Sequence, residues 1–448
     1  MTYFQLRRRP LTNLGIRIAV VGAIVFGLQY LYMSHWRQTQ SEASTSSDGI
    51  AAEIQSMANT DGQMETLQQR LRQNPDDQRA YVLLGAVYLQ KVRETGDPTY
   101  YGKTEEALHR ALDLQPDDFA AMTQMGALAL ARHQFREALD WGEKARAITP
   151  ETAMIYGVIG DAQVELGQYD AALQTFQTMV DLRPNLSSYS RASYMRELHG
   201  DVAGAIEAMQ RAVQAGGPNV ENTNWTRVQL GHLYFNSGKL AEAEAQYNQA
   251  LASYPGYIHA IAGLARVHAA RGEYDEAIKL YADATNRMPL PEYVIALGDV
   301  YAASGRSQEA QQQYDLVRVM ERLYAANGVD TDLELALFEA NHGQGQQIDE
   351  ALTLARRALQ KRPTIYAKDV LAWTLYQDGQ YASAYELSRQ ALQLGTRDAL
   401  LYFHAGMIAL KLGDKTQAGD YLEQALSINP HFSILYAPEV QRTLETLR

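Results

Sequence analysis

The sequence predicts an all-α protein built as a solenoid of about ten helical hairpins. Three observations carry this. Prolines return at a fixed interval of 34 residues, at Pro150, Pro184 and Pro218 and again at Pro255 and Pro289. Glycine recurs between the helices of a pair, at Gly167, Gly200, Gly238, Gly272, Gly305, Gly379 and Gly413. Alanines seven residues apart mark each second helix: Ala138/Ala145, Ala205/Ala212, Ala243/Ala250, Ala277/Ala284, Ala384/Ala391 and Ala418/Ala425. At 448 residues the chain exceeds the usual single core, so it grows either by adding domains or by repetition. The fixed period selects repetition.

The elements follow in chain order. Residues 1–13 form a basic tail. Residues 14–36 contain LGIRIAVVGAIVFGLQYLYM, twenty residues whose charge is confined to Arg17 near one edge, the length that spans a bilayer. Tyr30, Tyr32 and Trp36 gather at its far end, as interfacial aromatic residues do. A cleaved signal peptide, with Ser41-Glu42-Ala43 as the processing site, and a buried core helix are the competing readings. Arg7, Arg8, Arg9 and Arg17 precede the run, against His35 and Arg37 after it. The expectation is a single-pass cell-membrane protein with a cytoplasmic N-terminus and an extracytoplasmic helical domain. Residues 37–61, polar and poor in bulky side chains, read as a flexible tether.

METLQQRLRQNP, within 62–77, reads as a capping helix without its partner. The solenoid then occupies 78–430, and HFSILYAPEVQRTLETLR, 431–448, supplies a C-terminal capping helix. Each hairpin position has a packing reason. A small residue midway along the first helix (Gly85, Gly126, Gly160, Gly231, Ala265, Gly298, Ala372, Gly406) lets the two helices approach. The turn glycine supplies a left-handed C-cap. Alanines seven apart share one helical face. Tyr88, Tyr234, Tyr247, Tyr281 and Tyr301 fill the wedges between hairpins. Three units depart from the pattern. The first has an insertion, VRETGDPTY at 92–100; the seventh runs on through VRVMERLYAANG; the eighth has extra residues in GQGQQID.

This spelling, clearest in LGHLYFNSGKLAEAEAQYNQALASYP at 230–255, resembles the tetratricopeptide repeat (TPR). The resemblance implies a right-handed α-solenoid whose first helices line a concave groove that receives peptides or partner helices. Mapped onto this chain, it offers Tyr194, Trp225, His232, Phe235, Asn236 and Arg266 from the middle repeats. The late repeats add Tyr366, Asp369, Trp373, Tyr376, Phe403 and Met407. Basic inward positions (Arg79, Arg266, Lys411) are too dispersed for a carboxylate clamp, and a basic or aromatic-rich peptide suits this groove better.

Composition narrows the function. The chain has no cysteine, which removes disulfides and thiolate metal sites. Net charge is −12, and residues 1–41 hold five Arg and no acid, so the remainder carries −12 − 5 = −17. An acidic body is a poor phosphate-binding surface, and nucleic acid is not an expected partner. No P-loop, H-E-x-x-H or G-x-S-x-G motif occurs, and the ten His are scattered, so no catalytic, metal or cofactor site is expected. The expected function is a membrane-anchored scaffold for assembling an envelope or membrane complex. Alternatives are a cytosol-facing import receptor and a glycan-binding subunit of an enzyme complex.

Overall fold

The computed structural model describes residues 59–217 and 220–447, which contain twenty-two α-helices and no strand. Twenty of them pair into ten antiparallel hairpins. Hairpins 1 to 5 join Gln78–Thr95 to Thr99–Leu114, Phe119–Ala131 to Phe135–Ile148, Ala153–Glu165 to Tyr169–Leu182, Leu186–Leu198 to Val202–Gln214, and Val220–Asn236 to Leu240–Ser253. Hairpins 6 to 8 join Ile258–Ala270 to Tyr274–Arg287, Pro291–Ala303 to Ser307–Ala326, and Asp332–His342 to Gln346–Lys361. Hairpins 9 and 10 join Ile365–Gln377 to Tyr381–Ala391 and Ala399–Lys411 to Lys415–Ile428. Thr60–Gln73 precedes the stack, started by Asn59, whose side chain accepts from the Gly62 N–H at 3.0 Å. Ala437–Leu447 follows it.

The repeating residues do what their spacing demands. All seven turn glycines adopt positive φ, between 69° and 87°. The paired alanines are buried in every hairpin where they occur. Tyr247 is fully buried, and a β-carbon at Gly263 of the next hairpin would lie 2.6 Å from its ring, while one at Gly231 would collide with the same ring. Small residues on first helices thus admit large ones from second helices, which is how consecutive hairpins share one apolar wall.

The expected membrane span, 14–36, lies outside the described residues, as does nearly all of the tether. Among the described residues no helix is long and apolar enough to cross a membrane. The longest, Ser307–Ala326, carries Glu309, Asp315, Arg318, Glu321 and Arg322. The single-pass membrane placement expected from the sequence is corrected to this extent: no described helix supplies a span.

Beyond the repeat pattern, the stack curls round until it meets itself. Turns of hairpins 1 to 5 sit against the junctions that follow hairpins 6 to 10. Tyr324 Oη donates to Gly96 O (3.2 Å), and the Asp330 N–H donates to Arg132 O (2.9 Å). His133, the only described non-glycine residue at positive φ, brings Nδ1 within 2.8 Å of Asp330 O. Arg362 bridges Glu165 (2.7 Å) and Glu334 (2.8 Å), and the Ile365 N–H donates to Tyr169 Oη (2.9 Å). The Thr396 hydroxyl donates to Leu198 O, and Asn429 Nδ2 to Phe235 O (3.0 Å).

Apolar side chains close the same seam. Ile365 and Leu401 join Tyr169, Met195 and Leu198 in one core, and Val329 joins Tyr101, Met125 and Leu128 in another. The insertion in hairpin 1 and the run-on helix of hairpin 7 acquire a common purpose here, because Gly96 belongs to one and Tyr324 to the other. Both irregularities extend backbone to the place where the two superhelical turns touch.

Candidate functional site

First helices of hairpins 3 to 6 present their concave faces to a cavity of about 900 Å³. The closing turn roofs it with Tyr366, the segment Thr396–Leu400, Asn429 and Phe432, and Arg93 reaches it from hairpin 1. Tyr194, Trp225, His232, Asn236, Arg266 and Tyr366, half of the sequence-predicted residues, line this one space. Phe235 lines a neighbouring cavity of about 340 Å³ that shares His232, Arg266 and Phe432 with the first. Its ring is nonetheless buried, 3.8 Å beneath the Arg266 guanidinium.

The remaining five residues are placed in the wall, away from this space. Trp373 is buried, stacks on His404 at 4.2 Å and on Tyr376 at 4.6 Å, and donates from Nε1 to Asn341 Oδ1 at 2.8 Å. Asp369 is buried against His404 Nδ1 (2.8 Å). Phe403 and Met407 belong to the core that seats the C-terminal helix, and Tyr376 packs against it half-buried. An aromatic stripe at first-helix spacing served packing here because the C-terminal segment covers it, which the 34-residue pattern cannot signal.

The cavity's charges are mixed and tightly arranged. Arg191 grips Asp161 with two hydrogen bonds of 2.8 and 2.6 Å. Burial, and then the negative charge of Asp398 opposite, push the Glu197 carboxyl up to about 7. Burial likewise raises Asp398, which accepts from the Leu400 N–H at 2.9 Å as a helix cap. Burial, then the Arg266 charge, hold His232 down to about 3, so it is neutral and paired with Tyr247 Oη at 2.8 Å. Arg266 donates to Asn236 Oδ1 (3.2 Å) and has no carboxylate partner among the described residues. Trp225 is 41% exposed, which leaves much of its side chain open.

Arg93, Arg397 and Phe432 were not legible as site residues, since they enter only through closure across the seam. Glu197 and Asp161 lie on the first helices of hairpins 4 and 3, and no feature beyond repeat position marks them in the sequence. Among the described residues no group of three or more His, Asp or Glu is placed to hold a metal ion. The arrangement offers hydrogen bonds of both polarities, paired and unpaired charge, and an open aromatic face. Such groups are suited to recognition.

Tetratricopeptide-repeat family models match residues 158–220 and 234–297. These matches fall on hairpins 3 to 6 and mark them as tetratricopeptide repeats. A third family model, described as anaphase-promoting complex, cyclosome, subunit 3, matches residues 344–425. Among curated proteins, the TPR repeat-containing protein YpiA of Bacillus subtilis is 21% identical over 65% of this chain and 62% of its own length. Cellulose synthase operon protein C of Komagataeibacter xylinus is 23% identical over 71% of this chain and 24% of its own. Anaphase-promoting complex subunit 3 of Dictyostelium discoideum is 31% identical over 19% of this chain and 9% of its own. The chain thus spans less than two thirds of each of these relatives. Of solved structures, human IFIT1 aligns over 83% of this chain and 95% of its own at 14% identity, with a TM-score of 0.44.

Proposed function

We propose that this TPR protein is a non-enzymatic scaffold that seats a segment of another protein in the cavity walled by hairpins 3 to 6. The observation that carries the reading is the convergence of Tyr194, Trp225, Asn236 and Arg266 on one roofed space. Large aromatic and Arg side chains in a concave, partly desolvated site are the usual anchors of protein recognition. Relatives named for multi-subunit assemblies, such as anaphase-promoting complex subunit 3, support the same class of role. Because the cavity is roofed, the seated piece is a chain end or a loop of a few residues, in place of a helix lying along an open groove.

Cross-linking mass spectrometry on complexes captured by the intact chain tests this. A defined protein whose cross-links fall on cavity residues is expected, with capture reduced at least tenfold, about 1.4 kcal/mol, in Trp225→Ala. Cross-links confined to second helices on the convex side would refute the cavity as the seat. Retention of a glycan in place of any protein would transfer the site to the carbohydrate reading.

A further inference from the structure

The seam that closes the molecule joins two different edges of the solenoid, and each edge has a second half left open. Its turn edge is used by hairpins 1 to 5 and free in hairpins 6 to 10. Among the described residues the junction edge is used after hairpins 6 to 10 and free after hairpins 1 to 5. Equivalent residues show the contrast. A β-carbon on Gly167 would lie 2.6 Å from Pro363 O, and one on Gly238 3.2 Å from Pro430; at Gly272, Gly305, Gly379 and Gly413 it would meet nothing within 4 Å. Leu166 and Leu412 each precede the turn glycine, yet Leu166 is 7% exposed and Leu412 45%. On the junction edge Met288 and Tyr254 each precede the closing proline, yet Met288, tucked under Gly96, is 4% exposed and Tyr254 42%.

The open edges also hold a disproportionate share of uncovered apolar surface. Nine large hydrophobic residues are exposed among those described, and five of them (Ile148, Met154, Leu182, Tyr254 and Leu412) lie on these two edges. Tyr254, before Pro255, stands where the covered junction after hairpin 6 holds the buried Met288, before Pro289. The open junction edge therefore exposes apolar side chains, where the covered one buries its own against a row of turns. The open turn edge supplies such a row.

The geometry points to self-association of this chain, turn edge of hairpins 6 to 10 on junction edge of hairpins 1 to 5 of the next copy. This repeats between molecules the contact the molecule already makes within itself. The two surfaces differ, so the interface is heterologous, and a seam with a superhelical advance continues as an open stack and does not close into a ring. The inference is independent of what occupies the cavity.

Sedimentation of the intact chain across a hundredfold concentration range tests it, using Leu182→Asp on the junction edge and Leu412→Asp on the turn edge. Wild type is expected to grow beyond one chain as concentration rises, and each variant to remain a single chain with unchanged helical content. A mixture of the two variants should form a species of two chains and stop there, because each supplies the edge the other lacks. Wild type that stays a single chain throughout, variants that associate as wild type does, or a mixture that remains single chains would overturn the proposal. Should Leu182→Asp lose helix, Ile148→Asp on the same edge replaces it.

Discussion

Gly167 and Gly379 occupy the same place in hairpins 3 and 9, and both are left-handed, with φ of 69° and 79°. Around Gly379 there is open space; against Gly167 lies the Pro363 carbonyl. Identical local sequence logic thus operates in two environments, one facing solvent and one facing the molecule's own second turn. An ordinary repeat stack is quasi-one-dimensional, each unit touching only its neighbours. Contacts between residues 194 to 198 apart make this one three-dimensional, and they also roof the cavity.

The comparison can be broken most forcefully at Arg362. Its guanidinium joins Glu165 and Glu334 across the seam and lies 4.9 Å from the Phe135 ring. Arg362→Ala takes from Glu165 its guanidinium partner and leaves Glu334 only His133, 3.8 Å away, and is expected to cost about 3 kcal/mol, read by urea unfolding. If the seam couples the halves, the variant should also unfold in two steps where wild type unfolds in one. Next in size is the leucine pair. Leu166→Ala removes a buried side chain and should cost about 2–3 kcal/mol, whereas Leu412→Ala should stay within about 0.5 kcal/mol in dilute protein. Equal costs would mean that the turn edge is not covered at hairpin 3.

The glycines sharpen the same contrast. Gly379→Ala should cost about 1 kcal/mol of left-handed strain. Gly167→Ala should exceed it by about 2 kcal/mol, because the new methyl must displace backbone across the seam. Smallest is a pH effect. Glu197 and Asp398 face each other from hairpin 4 and the junction before hairpin 10, and burial first, then this opposition, raises Glu197 to about 7. A raised carboxyl binds its proton more tightly in the folded state, so its stabilisation is present below about pH 4.5 and lost as pH rises through 7. Thermal unfolding of wild type should weaken across that window, and Glu197→Gln should flatten the dependence.

Most of the fold was legible because its information is local. The period, the turn glycines and the alanine faces follow from sequence within one hairpin. Even the irregular units were visible as departures, although nothing in VRETGDPTY or VRVMERLYAANG says that Gly96 and Tyr324 will meet. The site was half legible for the same reason. Repeat position identified Tyr194, Trp225 and Arg266 as inward-facing, but Trp373 and Phe403 hold equivalent positions and are covered by the C-terminal helix. Arg397 and Phe432 enter the cavity through closure, and no spacing rule within a repeat reaches across it.

Hydrogen exchange in the unmodified chain tests closure most directly. The amides of Asp330 and Ile365 donate to Arg132 O and Tyr169 Oη across the seam. Closure predicts slow exchange in peptides covering 328–331 and 364–366, well below the corresponding junction peptides 149–152 and 183–186. Equal, fast exchange at all four junctions would contradict it and return the molecule to an open solenoid.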